Sequence, residues 1–71
     1  VNMINVIDEV SILDRDFFIV RDENPAGGYE LSLCVPDPSG MQVSYFDVLF
    51  HKDEPESDAI DSLIQAYADR L

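Results

Sequence analysis

The run Tyr29-Glu30-Leu31-Ser32-Leu33-Cys34-Val35 alternates strictly, with Tyr29, Leu31, Leu33 and Val35 on one parity and Glu30, Ser32 and Cys34 on the other. A period of two is that of a β-strand with one apolar face. Turn chemistry punctuates both ends. Asn24-Pro25-Ala26-Gly27-Gly28 precedes the strand; Asn-Pro opens turns, and paired glycines permit positive φ. Pro36-Asp37-Pro38-Ser39-Gly40 follows it as a rigid turn.

A strand so bounded needs neighbours, and the flanking segments supply them. Upstream, Phe17 to Arg21 reads as a short strand, apolar on both faces, preceded by a hairpin-like break at Asp14-Arg15-Asp16. The first segment, Met3 to Leu13, is open between two readings. As a strand it places Ile4, Val6, Val10 and Ile12 on one face with Asp8 interrupting; as a helix it gathers Met3, Val6, Ile7, Val10 and Leu13. Its β-branched composition favours the strand. Downstream, Met41 to Phe50 reads as a long strand whose apolar parity changes partway. Val43 and Tyr45 share one parity, and Phe46, Val48 and Phe50 the other, so a bulge is expected near Ser44 to Phe46.

The last segment is helical. Ile60, Leu63, Ile64, Tyr67 and Leu71 form one stripe at helical spacing. Glu54, Glu56 and Asp58 crowd its first turns and Arg70 its last, as the helix dipole prefers, and Pro55 is tolerated only in a first turn. The expectation is a single α+β domain over residues 1–71, a small antiparallel four-stranded meander with one C-terminal helix on one face. One helix covers one side only, yet Phe17 to Val20 point apolar groups to both. The spare face then requires either the N-terminal segment folding over it or a second chain.

Composition sets the physical limits. Seventy-one residues with 46% hydrophobic content suit one small globular domain, not a disordered segment. Fifteen acidic residues against four basic ones give a formal charge of −11 and a pI near 4.1. Such a charge repels nucleic acid and anionic membranes and attracts basic proteins, with a reach of roughly 8 Å in physiological salt. One cysteine, no apolar run of membrane-spanning length and no basic, cleavable leader at the start lead to a cytoplasmic expectation.

Catalytic chemistry finds little support. Gly27-Gly28 lacks the Lys and Ser or Thr of a phosphate loop and precedes a strand. Nothing in the sequence brings together Cys34 and His51, the single cysteine and single histidine, and two such ligands do not make a structural zinc site. Asp14-Arg15-Asp16 and Asp22-Glu23 lack the alternating ligands and central glycine of a calcium loop. Arg15, Arg21, Lys52 and Arg70 are too scattered to neutralise a phosphate backbone. A non-enzymatic protein without metal or cofactor is expected.

The acid itself is unevenly placed. Asp53, Glu54, Glu56, Asp58 and Asp61 gather around the helix start, relieved only by Lys52. Asp58, Asp61, Ser62, Gln65 and Asp69 fall on the helix face opposite the apolar stripe. Asp58 and Asp61 are about 4.5 Å apart along the axis, and Asp69 about 12 Å further on. A second group, Asp14, Asp16, Asp22 and Glu23, belongs to strand ends, and Asp8, Glu9, Glu30 and Asp47 complete the set. Ordinary exposed helices mix signs, because like charges one turn apart repel.

Gly27-Gly28-Tyr29, followed by Val35-Pro36-Asp37 and Gly40, resembles the strand-turn core of HicB antitoxins. That resemblance implies a helix as the next element, whereas Met41 to Phe50 reads here as a strand, so the family's function is not carried over. In size and charge the chain also resembles small acidic phage inhibitors of the anti-restriction and anti-CRISPR type. The leading expectation is an acidic inhibitor that blocks the basic, nucleic-acid-binding surface of a nuclease or CRISPR complex. Its contacting acids are then Asp53, Glu54, Glu56, Asp58, Asp61 and Asp69. The alternatives are an antitoxin or immunity protein against a cognate toxin, and a self-associating structural subunit, dimeric through Phe18, Phe46 or Phe50.

Overall fold

A computed structural model describes residues 5–36, 38–40 and 42–71. Four strands, β1 Val6–Ile12, β2 Arg15–Glu23, β3 Tyr29–Pro36 and β4 Gln42–Phe50, precede one helix, α1 Glu56–Ala68. The strands form an open antiparallel sheet in the order β1-β2-β3-β4, and α1 packs over β3 and β4. This is the α+β meander that the pattern of turns predicts.

The alternation in β3 decides which side is core. Tyr29, Leu31 and Leu33 are buried beneath the helix, with Val35 at the margin. Cross-strand partners share a face, so Ile19 and Phe46 join Leu33, and Val48 and Phe50 join Leu31 and Tyr29. Phe17, Ala59 and Leu63 complete the buried cluster. The helix centre line is Ala59–Leu63, with Ile60 and Tyr67 beside it, whereas the expected stripe was centred further round, towards Ile64 and Leu71. Alanine at the point of closest approach lets the helix backbone sit down on the sheet. Leu71 lies beyond the helix end and is 65% exposed.

Helix ends also differ from expectation in detail. Pro55 is the N-cap, not a first-turn residue, with φ −60° and ψ 137°. Its carbonyl accepts the first helical hydrogen bond from the Ala59 N–H, at 3.0 Å. Glu56 and Asp58 occupy the first turn, where the dipole favours acid, but the last turn holds no basic residue, because the helix is capped at Asp69 before Arg70 is reached.

Two bulges reset the parity. Leu33 pairs with Phe46 but Cys34 pairs with Ser44, which leaves Tyr45 as the inserted residue. This is the bulge expected between Ser44 and Phe46. It turns Tyr45 to the helix side, its ring 5.9 Å from Phe17. A second bulge at Ile7 was not anticipated: Val6 pairs with Val20 and Asp8 with Ile19. The single face expected for Val6, Val10 and Ile12 is therefore split. Val10 and Ile12 pack against the core, and Val6 joins Val20 on the other side. Ile4 lies outside the described residues. Since β1 is an edge strand in the plane of the sheet, it does not fold across the spare face.

The first hairpin is tighter than Asp14-Arg15-Asp16 suggests. Ile12 pairs with Arg15, so only Leu13 and Asp14 form the loop, and both have positive φ, 49° and 66°. Positive φ at both loop positions is the signature of a type I′ turn, which suits Asn-Gly far better than a bulky apolar residue. Leu13 is also 78% exposed, so it gains little from burial. Changing Leu13→Asn together with Asp14→Gly is expected to stabilise the domain by about 1 kcal/mol, raising Tm by roughly 4–8 °C. A calorimetric scan showing no increase would mean that Leu13 makes contacts that offset the strain.

Candidate partner-binding surfaces

Charge in this chain is sorted by side. Each arginine stacks on an aromatic ring of the helix-covered half. The Arg21 guanidinium lies 3.9 Å from the Tyr29 ring centroid, Arg15 5.3 Å from Tyr45, and Arg70 5.0 Å from Phe46. Arg21 is further held by Glu23 at 2.6 Å and Glu56 at 2.8 Å, tying β2 to the start of the helix. These hydrogen bonds keep the Glu23 carboxyl below its ordinary range and raise the already high Arg21 pKa. Beneath them, the Tyr29 hydroxyl donates to the Glu54 carbonyl at 2.6 Å, and burial pushes the phenol pKa up.

The acids expected to make contact around the helix do not form one cluster. Glu56 is neutralised by Arg21. Glu54 is half-buried beside Tyr29. The Asp53 N–H donates to His51 Nδ1 at 3.2 Å, and its carboxylate lies 3.5 Å from the same nitrogen. Asp69, at the far end of the helix, accepts from Gln65 Nε2 at 2.8 Å. Asp58 and Asp61 are exposed on the outer face with Ser57, Ser62 and Gln65, and neither carboxylate has a hydrogen bond or ion pair among the described residues.

A second acidic surface lies on the side of the sheet away from α1. Register assembles it in rows. Val6, Val20, Ser32 and Asp47 line up across the four strands, as do Glu9, Phe18, Cys34 and Ser44. Asp22, Glu30 and Leu49 form a row at one end, and Ser11 and Asp16 one at the other. The face thus carries Glu9, Asp16, Asp22, Glu30 and Asp47 around a centre of Phe18, Val20, Ser32 and Cys34. Among the described residues no cation shares it: Arg15 and Arg21 lie on the opposite face, Lys52 lies in the turn after β4, and Arg70 lies beyond the helix.

This grouping escaped the sequence reading, although strand parity carried the signal. Asp16, Phe18, Val20 and Asp22 share one parity in β2, and Glu30, Ser32 and Cys34 share one in β3. Of the aromatic residues expected on the spare face, only Phe18 is there. Phe46 and Phe50 pack beneath the helix, because the Tyr45 bulge puts the parity of Phe46, Val48 and Phe50 on the core side.

The reactive candidates are kept apart. Cys34 sits on the open face, where burial and then Asp22, Asp47 and Glu30 push its thiol pKa up, away from the nucleophilic thiolate. His51 comes after Phe50, whose cross-strand partner Tyr29 is already about 16 Å from Cys34 along β3. Among the described residues, no three metal-ligating side chains converge, and no helix is long and apolar enough to cross a membrane. The depressions in the surface are shallow, about 250 Å³ beside Gly28 and His51 and about 300 Å³ between Leu13 and Leu71. No family model, curated protein or solved structure matches the chain.

Proposed function

We propose that this domain is a non-catalytic acidic protein that binds and blocks the basic, nucleic-acid-binding surface of a partner protein. The observation that carries the reading is the segregation of charge. The arginines are held on aromatic rings of one half of the molecule, so the open sheet face and the outer helix face present carboxylates without cations. Self-repulsion of this kind weakens a small fold, and a basic partner relieves it on binding. A groove lined with lysine and arginine to hold phosphates is complementary to such surfaces. Nucleases and CRISPR complexes are partners of this chemistry.

The test is competition. The immobilised domain is exposed to lysate, bound proteins are eluted by a salt gradient, and each is assayed for nucleic-acid binding with and without the free domain. The expected result is a basic protein that elutes as salt rises and whose nucleic acid is displaced stoichiometrically. A captured protein that still binds its nucleic acid while holding the domain would rule out the blocking role.

A further inference from the structure

Two acidic surfaces compete for the role of contact, and their composition separates them. The outer face of α1 offers Ser57, Asp58, Asp61, Ser62 and Gln65, with no apolar group among them. Binding energy in protein interfaces concentrates in apolar or aromatic anchors surrounded by a polar rim. The open sheet face has that arrangement. Phe18 is half-buried at its centre, Leu49 is 64% exposed at its edge, and carboxylates surround both.

Its charges also lack a resolution within the chain. Asp22 and Glu30 are direct cross-strand partners, and like charges in that position destabilise a sheet. Asp47 is on the diagonal from Glu30, since Glu30 pairs with Leu49. Among the described residues, the polar contact made to these side chains is from the neutral Asn5 amide, which donates to Asp22 at 2.9 Å. At the centre, Val20, Ser32 and Cys34 are themselves buried, 7%, 5% and 5% exposed, so the face is reached through Phe18 and its rim.

The same charges argue against a second copy as the occupant. An isologous dimer through this face brings two copies of the same Glu9, Asp16, Asp22, Glu30 and Asp47 rim together, and like-charge juxtaposition is costly in an interface. A segment rich in arginine or lysine meets the face without that cost. Its side-chain stems cover Phe18 and Leu49, and its cations reach the rim.

We infer that the open sheet face, with Phe18 at its centre and Glu9, Asp16, Asp22, Glu30 and Asp47 at its rim, is where the domain receives the arginine- and lysine-rich surface of its partner. The inference rests on the acidic-blocker reading and assigns the contact to the sheet in place of the helix.

The experiment is a titration of the isotopically labelled domain with an oligo-arginine peptide, followed by amide chemical shifts at about 50 mM salt, where screening is weak. Perturbations are expected at Phe18, Val20, Asp22, Glu30, Cys34 and Asp47. The triple change Asp22→Asn, Glu30→Gln, Asp47→Asn is expected to weaken binding about ten-fold or more, and Asp58→Asn with Asp61→Asn less than about two-fold. These substitutions are on the surface, and relief of the Asp22–Glu30 repulsion keeps the triple variant folded. Perturbations confined to α1, or equal losses from the two variants, overturn the sheet assignment and leave the blocking role standing. Absence of any salt-sensitive binding overturns both. A dimer by sedimentation that the triple change strengthens overturns the choice of occupant.

Discussion

Replacing Gly28 by alanine is expected to destabilise the domain by about 3 kcal/mol, whereas the same change at Gly27 costs about 1 kcal/mol. Both glycines have positive φ, 106° at Gly27 and 81° at Gly28, so both substitutions carry a backbone penalty. Only one meets an obstacle. A methyl group on Gly27 has nothing within 4 Å. On Gly28 it is driven into the Phe50 carbonyl oxygen, with the Phe50 carbonyl carbon at 3.5 Å and the Lys52 amide nitrogen at 3.6 Å. All of these are backbone atoms, fixed by the pairing of Tyr29 with Phe50 where β3 begins and β4 ends. No rotamer change can relieve the overlap, so the strand pair must part. A domain of this size has a stability of roughly 4–10 kcal/mol. The Gly28 change therefore removes a large fraction of it, lowering Tm by roughly 12–24 °C. Thermal unfolding of the two variants side by side checks this, and equal losses would show that the loop moves aside at Gly28.

How much of this was legible beforehand depends on the kind of signal. The β3 alternation, flanked by Gly27-Gly28 and Pro36, located the sheet and its core face, because period and turn chemistry are local. The Tyr45 bulge was legible too, since it breaks an otherwise regular parity within one strand. The bulge at Ile7 was not. Val and Ile occupy both parities of β1, so nothing in the sequence marks the residue at which pairing slips. The type I′ turn at Leu13-Asp14 was hidden for a similar reason: neither residue is one that such a turn prefers.

The candidate site was read less well than the fold, for a physical reason. Acids adjacent in sequence, from Asp53 to Asp61, look like a cluster, but Arg21 reaches Glu56 from a strand thirty-five positions earlier. Conversely, Asp22, Glu30 and Asp47 are brought together only by strand register. Partnering across a sheet is a long-range property, and charge counted along the chain does not report it. The confinement of the arginines to aromatic rings on the helix side belongs to the same class of fact. It leaves the open face uniformly acidic, which no count of lysines and arginines reveals.

Substituting Phe17→Ala is expected to cost about 3–5 kcal/mol, enough to leave the domain largely unfolded at 37 °C, while Phe18→Ala costs less than about half as much. The two residues are neighbours in β2 but face opposite sides. Phe17 is 1% exposed and meets Tyr67 edge-on at 5.4 Å and Tyr45 at 5.9 Å, and Tyr67 in turn lies 5.7 Å from Phe46. Its removal opens a cavity bounded by rings that cannot collapse together, and it releases the inserted Tyr45 from its aromatic neighbour. Phe18 is only half-buried, beside the smaller buried side chains of Val20 and Cys34. Urea unfolding measures both losses, with the slope serving as a check that each variant starts from the same folded state. Comparable losses at the two positions would mean that the core is two-sided and that the open face is filled from within the chain. A large loss at Phe17 with a small one at Phe18, accompanied by weaker oligo-arginine binding at Phe18 alone, separates the residue that holds the fold from the one that meets the partner.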